Sequence, residues 1–507
     1  MRQRLSTGIW RVFAASGATI IFLTVILCVA QTKDGIRAEQ LMPPIFGSLV
    51  LFLLLVFILV KLEGILEKYQ KIFLPLFLGC YALVVYVLCL RSRGIPVHDS
   101  LSVINGARYF AGLTDEMSWT YFASCPNNLM PAVYLSFLFR IAHFFGAEDG
   151  WYFAVAVNVV MLLAALYCVF RISGRVSWHK TASSWSGMLI LAMYFPILGH
   201  TQSLYTDAFS FCFGVTAFYI WLRNQEKRVG GWRQQAGNVV AGIIWAVGMQ
   251  LKMTVAISLI AVLLYLILFR RARDIISRCG IIFLIVAAVA LGCRAYADSL
   301  PTQEYKDTWA LPTASHFIAM GLIGDGGFDM YSDYFVTMTG TWGMEEKKRY
   351  IREFIWENKG NFLDPEHVHA KLRNNFAEGT MGASIFFHSA ESHGLVYNCI
   401  SYQGAHSWGY RVRIDGYWYM ILILTSLCFL GELLSREKER EAGRVVAMLS
   451  IAGIMCYVML SEANNRQLYN HLPWIMIAAN VGLWRLVEYT GRCSVWLRER
   501  KKGKIQA

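Results

Sequence analysis

Residues 42–62 read MPPIFGSLVLFLLLVFILVKL, and this stretch indicates the class of fold to expect. Its one charged residue, Lys61, lies next to the end. A helix rises about 1.5 Å per residue, so about 20 apolar residues are needed to cross a hydrocarbon core of about 30 Å. The stretch is therefore long enough and apolar enough to form a membrane-spanning helix.

Similar apolar stretches recur along the chain. The 507 residues are 56% hydrophobic and only 16% charged, whereas soluble domains carry about 25% charged residues. This composition excludes an ordinary cytosolic enzyme, a secreted disulfide scaffold and a disordered chain. We predict an all-α polytopic membrane protein with about twelve transmembrane helices. The predicted spans are 10–30, 42–62, 71–90, 151–170, 183–201, 203–222, 236–251, 254–269, 275–294, 416–434, 443–461 and 470–488.

Lysine and arginine in short loops indicate which ends of the helices face the cytoplasm. Basic clusters follow the spans that end near residues 170, 222, 269 and 434, and another forms the C-terminal tail. All of them share one side only if the apolar stretch 127–145 does not cross the membrane. Its Arg140 and His143 suit the depth of the lipid headgroups, so we predict an interfacial helix on the outer face. Both termini are then cytoplasmic, in a plasma-membrane protein.

This topology divides the chain into four parts. Residues 1–70 would add two N-terminal transmembrane helices to a transmembrane module at 71–294, whose first outer loop is 91–150. Residues 295–415 would form a larger extracytoplasmic loop or small domain, and 416–507 the last transmembrane helices and a basic cytoplasmic tail. The net charge of +13 thus belongs to membrane topology and does not indicate nucleic-acid binding. Cys125 and Cys399 both lie outside by this reading, and whether they pair is left open.

The topology restricts the chemistry. The predicted cytoplasmic loops are too short for a nucleotide-binding fold, and the chain has no glycine-rich phosphate loop leading into a helix. An enzyme built this way would work at the outer face on a substrate whose activated group is carried by a lipid.

Five charged residues at predicted outer turns are candidates for such a site: Asp99, Asp207, Lys252, Glu462 and Arg466. Each also has an ordinary explanation. The two aspartates could cap helices, the lysine could extend to the headgroups, and the glutamate could pair with the arginine. Taken together they favour function, because charges near membrane depth are costly. One carboxylate could accept a proton from an acceptor hydroxyl while cations stabilise a leaving phosphate.

These residues lie in motifs that resemble the GT-C superfamily of integral-membrane glycosyltransferases, which includes protein mannosyltransferases, aminoarabinose transferases and, more remotely, oligosaccharyltransferases. Asp99 precedes NGARYFAG at 105–112, and YFASCPNN follows at 121–128. The later outer turns contain YTD at 205–207, LKMT at 251–254 and Arg466 with Tyr469 and Pro473. Many members have paired acids in the first loop, whereas this chain has Asp99-Ser100, so a divalent metal is possible but unsupported.

The resemblance implies transfer of a sugar from a polyprenyl-phosphate donor to an extracytoplasmic acceptor, such as a glycolipid, wall polymer or protein, with inversion. Asp99 would be the general base, and Asp207 would orient the acceptor or the sugar. The residues assigned to substrate binding are Lys252, Glu462, Arg466, Arg411, Arg413, Asp115, Glu116, Asn127, Asn128 and Tyr205.

Two other functions remain open from the sequence. A transporter or lipid flippase would show repeats, broken spans and charges near the midplane, whereas these charges lie at helix ends. A non-catalytic scaffold would not need Asp99 or Asp207. The histidines of the large outer loop lack metal-ligand spacing and are predicted to be structural or surface residues: His316, His367, His369, His388, His393 and His406.

Overall fold

The structure is a computed structural model. It describes residues 2–32, 35–176, 179–225, 231–270, 272–301, 305, 309–311, 313–327, 342–387, 394–434 and 441–505. His388 and His393, predicted above to be structural or surface residues, lie outside these ranges.

The described part of the chain is built from α-helices joined by short turns. The helices of its first half are α1 (Arg2–Ala30), α2 (Ala38–Lys68), α3 (Gln70–Leu90), α4 (His98–Phe110), α5 (Trp119–Ser124), α6 (Leu129–Phe144), α7 (Trp151–Ser173), α8 (Lys180–Ala192), α9 (Ile197–Gln202), α10 (Thr206–Ser210), α11 (Phe213–Asn224), α12 (Trp232–Leu251), α13 (Ala256–Phe269) and α14 (Ala272–Asp298).

The second half of the chain contributes the remaining helices. They are α15 (Thr313–Met320), α16 (Met344–Asn358), α17 (Pro365–Phe376), α18 (Leu395–Ile400), α19 (Ser407–Leu434), α20 (Ala442–Leu460) and α21 (Leu472–Ile505). Short 3-10 helices lie at Pro126–Asn128, Met253–Val255, Lys359–Leu363, Ala383–Phe387 and Asn465–His471.

Within the described residues, seven helices are long and apolar enough to cross a membrane. They are α1, α2, α3, α7, α14, α19 and α20. In α1 the candidate membrane-spanning part begins at Thr7, and in α14 it begins at Ile275. This confirms the prediction of an all-helical, multi-pass membrane protein. The other predicted spans correspond to helices that are shorter or more polar, so the predicted count of about twelve is not established.

The spans predicted at 183–201 and 203–222 are wrong as continuous helices. The first ends at Ala192, and the short helix α9 begins at Ile197, directly after Pro196; Ser203 and Tyr205 then have extended backbones, before α10. Proline lacks an N–H group and disfavours helical geometry in the residue before it, which explains the first break. The 12-residue helix α11 is only about 18 Å long. The local sequence does signal an interruption, since Pro196, His200, Gln202 and Asp207 fall within twelve residues, but hydropathy placed only a one-residue turn there.

Helix α19 is the centre of the bundle. It packs against α1, α2 and α21, and its Trp418 and Tyr419 side chains are fully buried. The Trp418 Nε1 group donates to Phe376 O over 2.9 Å, and the Tyr419 hydroxyl donates to Ala377 O over 2.8 Å. The helix begins at Ser407, nine residues before the predicted span, so Arg411 and Arg413 lie in its first two turns.

A buried ionic cluster joins four helices near the other end of α19. Glu432, which is fully buried, lies 2.6 Å from Arg444 Nε and 2.8 Å from Arg485 Nη2. It also accepts a hydrogen bond of 3.2 Å from Trp10 Nε1. Because each partner comes from a different helix, the cluster fixes α1, α20 and α21 against α19.

The segment 295–415, predicted to be an outer loop, is divided in its packing. Helices α15 and α16 share a small hydrophobic core of their own around Leu311, Ala319, Met320 and Ile351. Helices α17 and α18 instead belong to the main core. Lys371 of α17 connects the two parts, since its buried ammonium donates to Gly321 O over 2.9 Å and to Ser461 O over 2.6 Å. The part beginning at α17 is therefore fixed to the turn that follows α20.

The segment 91–150, predicted to be the first outer loop, contains α4, α5 and α6, and the stretch predicted as a helix at 127–145 is helical from Leu129 to Phe144. Helix α4 packs along α6. Gly106 makes this possible, because a Cβ atom there would lie 2.5 Å from the Phe122 ring and 3.4 Å from Ala132 Cβ. The glycine of the NGARYFAG motif thus allows the helices of the loop to approach closely.

Candidate functional site

Asp99 does not cap a helix. Helix α4 begins at His98 with Val97 as the N-cap residue, and the Asp99 carboxylate is held by two tyrosines instead. The Tyr121 hydroxyl donates to Oδ1 over 3.0 Å, and the Tyr205 hydroxyl donates to Oδ2 over 3.1 Å. The carboxylate is half-buried. Since each carboxylate oxygen can accept more than one hydrogen bond, it is oriented without losing its capacity to accept a proton.

Asn128 completes this arrangement. Its Nδ2 group donates to the Tyr121 hydroxyl over 2.6 Å, and its Oδ1 lies 3.4 Å from the Tyr205 hydroxyl. Asn127 Nδ2 donates to the same Oδ1 over 3.2 Å. Asn128 is 2% exposed, so it holds the two tyrosine hydroxyls in place from the protein interior.

Asp207 and Lys252 form an ion pair between two turns. The Lys252 ammonium donates to Asp207 Oδ1, and the carboxylate is buried. Asp207 lies at the start of α10 because the preceding chain is extended, and Lys252 follows the last residue of α12. The pair therefore joins two breaks in the helical structure. Lys252, which the sequence analysis assigned to binding of a donor phosphate, thus already has an anionic partner within the protein.

Arg466 lies beside Tyr205, with its guanidinium carbon 5.6 Å from the ring centre. Its backbone N–H donates to Asn464 Oδ1 over 3.2 Å, and Asn464 Nδ2 donates to Glu462 Oε1 over 3.1 Å. Within the described residues the Arg466 guanidinium makes no ion pair, and its buried Nε has no hydrogen-bond partner. Arg466 thus retains donors for an anionic ligand.

Neighbouring charges determine the ionisation of these groups. Burial acts to raise the pKa of the Asp207 carboxyl, but Lys252 and Arg466 outweigh it and hold that pKa below its usual value. Burial raises the pKa of Glu462, against the effect of Arg466. Burial and the Asp99 charge raise the pKa of the Tyr121 and Tyr205 hydroxyls, so both remain hydrogen-bond donors at neutral pH.

Among the residues that the structure describes, two non-glycine residues have φ near +50°, and both adjoin this site. His98 immediately precedes Asp99. Met381, fully buried, has its carbonyl oxygen 3.0 Å from His200 Nε2, and the His200 ring stacks on Tyr469 at 3.8 Å. Such backbone conformations cost about 1–3 kcal/mol and persist where the surroundings impose them, often at functional sites.

The remaining predicted residues lie further away. Asp115 and Glu116 are exposed in the turn after α4. Arg413 is exposed and donates to Gly409 O of its own helix over 2.9 Å. Arg411 stacks on Tyr402 at 4.9 Å, and the Tyr402 hydroxyl donates to Glu378 Oε1 over 3.2 Å. The structure therefore places Arg411 behind the site and does not bring Asp115, Glu116 or Arg413 to Asp99.

A paired-acid metal site does not fit this arrangement. Ser100 occupies the position of the second acid, and its hydroxyl donates to Val97 O over 2.7 Å. In the described ranges no group of three His, Cys, Asp or Glu side chains could hold a metal ion. The ring nitrogens of His367 lie 3.0 and 2.9 Å from the carbonyl oxygens of Gly324 and Gly321. His316 is buried, whereas His406 is exposed. Cys125 and Cys399 are free thiols.

Several site residues were not identified from the sequence. Tyr121 is part of the YFASCPNN motif, but the motif assigns it no role, and its contact with Asn128 depends on the break in the helix at Cys125. Glu378, Asn465 and the turn around Met381 carried no recognisable pattern, because they reach the site only through the packing of α17 and α19.

Comparison with known proteins places the chain in a family but gives no established activity. No curated protein matches the sequence. Among solved structures, the archaeal oligosaccharyltransferase AglB from Archaeoglobus fulgidus, in complex with an inhibitory peptide and a dolichol-phosphate, is similar at 12% identity with a TM-score of 0.39. The match covers 83% of this chain and 52% of that one, so this chain spans about half the length of that protein. A family model matches residues 47–485, and the chain belongs to the family described as conserved hypothetical integral membrane proteins.

Proposed function

We propose that this protein is a membrane glycosyltransferase of the GT-C type. It would transfer a sugar from a polyprenyl-phosphate donor to a hydroxyl group of an acceptor outside the membrane. The observation that carries this proposal is the shared contact with Tyr205: its hydroxyl bonds the Asp99 carboxylate, and its ring lies beneath the Arg466 guanidinium. A proton acceptor and an anion-binding cation are thus held on the same side chain.

The reaction would proceed as a single displacement. Asp99 takes the proton from the acceptor hydroxyl as its oxygen attacks the anomeric carbon of the sugar. The bond between that carbon and the phosphate oxygen breaks, and the electron pair leaves with the lipid phosphate. Arg466 stabilises the charge that develops there, through donors that the protein leaves unpaired. A single displacement inverts the anomeric centre.

The Asp207–Lys252 pair would hold the site together. Both groups belong to turns that interrupt the helices, and their charges neutralise each other. Arg466 is then the cation available to the donor phosphate, with Glu462 and Asn464 on the same turn. A lipid donor suits this location because the predicted cytoplasmic loops are too short to form a fold that binds a nucleotide sugar.

We further propose that the site faces outward from a plasma membrane, with both termini in the cytoplasm. Basic residues follow α7, α11 and α13, at the ends of helices opposite to the site. Phe137, Phe144 and Phe145 of the α6 region are 62, 83 and 76% exposed. Exposed aromatic residues near a membrane surface suit an interfacial helix.

The test is sugar transfer by the purified protein in lipid nanodiscs, with a panel of radiolabelled polyprenyl-phosphate sugars. We expect Asp99→Asn to lower the transfer rate by about 10² or more, because the amide cannot accept the proton. Glu148→Gln, an exposed acid of the same loop, is the matched control and should transfer at the wild-type rate. Equal rates for Asp99→Asn and wild type would exclude Asp99 as the base.

A further inference from the structure

The turn between α17 and the 3-10 helix at Ala383–Phe387 contacts the site at Arg466. Every residue from Asn374 to Ser384 is buried. Helix α19 holds the start of this turn, since Gly379 N–H donates to Asp415 Oδ1 over 2.6 Å and Tyr194 donates to Gly379 O. The turn is thus fixed to the central helix.

Glu378 connects this turn to the residue next to Arg466. The carboxylate is 5% exposed and accepts hydrogen bonds from Thr380 and from Tyr402 at Oε1. Its Oε2 accepts from Asn465 Nδ2 over 3.2 Å. The backbone of Asn465 is therefore held at a fixed position, from which the Arg466 side chain extends.

Gly382 contacts Arg466 directly. Its φ is +69°, and a Cβ atom at this position would lie 2.5 Å from Arg466 Cγ and 3.2 Å from Arg466 Cδ. The preceding residue, Met381, shares the left-handed conformation with φ of +50°. Two consecutive residues in this rarely occupied region bring the backbone against the stem of the arginine.

We propose that the turn Glu378–Gly382 positions the Arg466 guanidinium for the phosphate of the lipid donor. Glu378 fixes the backbone beside Arg466, and Gly382 provides the space in which the arginine stem lies. Both act through Arg466, so they are positioning residues. This inference rests on the proposed function, in which Arg466 binds the donor phosphate.

The variant Gly382→Ala tests the proposal, because the added methyl group must displace the arginine stem. Gly324→Ala is the matched control: Gly324 also has a positive φ, of +51°, but a Cβ atom there would have no neighbour within 4 Å. It therefore introduces the backbone strain without the contact. Misplacing a positioned group by about 1 Å can lower a rate about 10²-fold.

The readout is equilibrium binding of radiolabelled farnesyl phosphate to the purified full-length protein in nanodiscs, beside sugar transfer. We expect Gly382→Ala to weaken binding at least tenfold and Gly324→Ala to leave it unchanged. In an Arg466→Ala background, Gly382→Ala should have no further effect, because nothing remains to be positioned. Glu378→Ala should behave like Gly382→Ala, with partial recovery in Glu378→Gln, which retains an acceptor oxygen.

The outcomes separate the two proposals. If the wild-type protein binds farnesyl phosphate and Gly382→Ala binds it equally well, the positioning role is overturned and the proposed function stays intact. Full additivity of Gly382→Ala and Arg466→Ala would also overturn it, since it would mean that the glycine acts on overall structure. Failure of the wild-type protein to bind farnesyl phosphate would refute the lipid-phosphate donor, and the positioning role with it.

Discussion

The Tyr205 hydroxyl lies 3.1 Å from Asp99 Oδ2, although the two residues are 106 positions apart in the sequence. The same tyrosine ring lies beneath Arg466, whose guanidinium carbon is 5.6 Å from its centre. The Tyr205 side chain therefore fixes the distance between Asp99 and Arg466, which lie in distant parts of the sequence. In the proposed function, Asp99 is the proton acceptor and Arg466 binds the anion, and a displacement reaction requires the distance between such groups to be constant.

Tyr205→Phe should lower the rate of sugar transfer by about 10- to 100-fold, since a hydrogen bond to a charged group contributes about 1.5–3 kcal/mol. The ring beneath Arg466 is retained, so farnesyl phosphate binding should stay near the wild-type value. The measurement is transfer and binding on the same preparation. Tyr152→Phe, with an exposed ring, serves as the control; an equal loss in both variants would contradict the assignment.

Asp207 and Lys252 should be strongly coupled in stability. Removing one partner, as in Lys252→Met or Asp207→Leu, leaves a buried charge and should lower the free energy of unfolding by about 3–5 kcal/mol. The double variant should recover much of that loss, because neither charge remains. Chemical unfolding of the four proteins in detergent measures the coupling. Simple addition of the two single effects would show that the pair is not coupled.

The free energy of unfolding should be as sensitive to loss of Glu432 as to loss of Asp207 or Lys252, although Glu432 lies far from the site. Glu432→Ala leaves Arg444 and Arg485 without their buried carboxylate, and we expect a loss of about 3–5 kcal/mol in the free energy of unfolding. The contrasting variant is Glu63→Ala, which breaks a partly exposed contact with His179 and should cost about 0–1 kcal/mol. Similar losses for both would argue against the buried cluster as a stabilising contact.

The pH dependence of stability should report on Lys371, because burial lowers its pKa to about 8 from the usual 10.5. Below about pH 8 the folded and unfolded chains both carry the proton. Between about pH 8 and 10.5 the unfolded chain binds more protons, so the free energy of unfolding should rise with pH. Lys371→Met should lack this contribution. If the free energy of unfolding rises equally steeply with pH in the two proteins over that interval, the prediction is wrong.

The proposed orientation is testable by cysteine labelling. In a variant with Cys80 and Cys456, the thiols that are exposed among the described cysteines, replaced by alanine, Glu116→Cys should react with a membrane-impermeant maleimide in intact cells. Arg233→Cys, after α11, should react only in permeabilised cells. The reverse pattern would place the site in the cytoplasm and exclude an extracytoplasmic acceptor.

Hydropathy alone identified the class of fold, because spans such as α2 and α20 are uniformly apolar and of the right length. It failed to give the extent of an interruption that the local sequence only signals. The break at Pro196 places His200 and Asp207 inside the protein, whereas polar residues between two apolar stretches predict an exposed turn. An interruption of this kind is tolerated at membrane depth only where other protein groups satisfy the backbone, and those partners are not visible in the local sequence.

The candidate site was predictable to a similar extent. Asp99, Asp207, Lys252 and Arg466 were selected as charges at the ends of apolar stretches, and the structure brings them to neighbouring turns. Their partners were not predictable. The pairing of Lys252 with Asp207 depends on where α12 ends relative to α10, and the contact of Gly382 with Arg466 depends on the docking of α17 onto α19.

The hydrogen bond from Lys371 to Ser461 O has a consequence for biosynthesis. The two residues are separated by 90 positions, which at about 5–20 residues per second corresponds to roughly 5–20 s of translation. During that interval the lysine has been synthesised while its acceptor has not yet been made. The contact between α17 and the turn after α20 can form only after α20 has been made, and Arg466 is made a few residues later still. Under the proposed function, the chain would therefore be almost complete before its site could assemble.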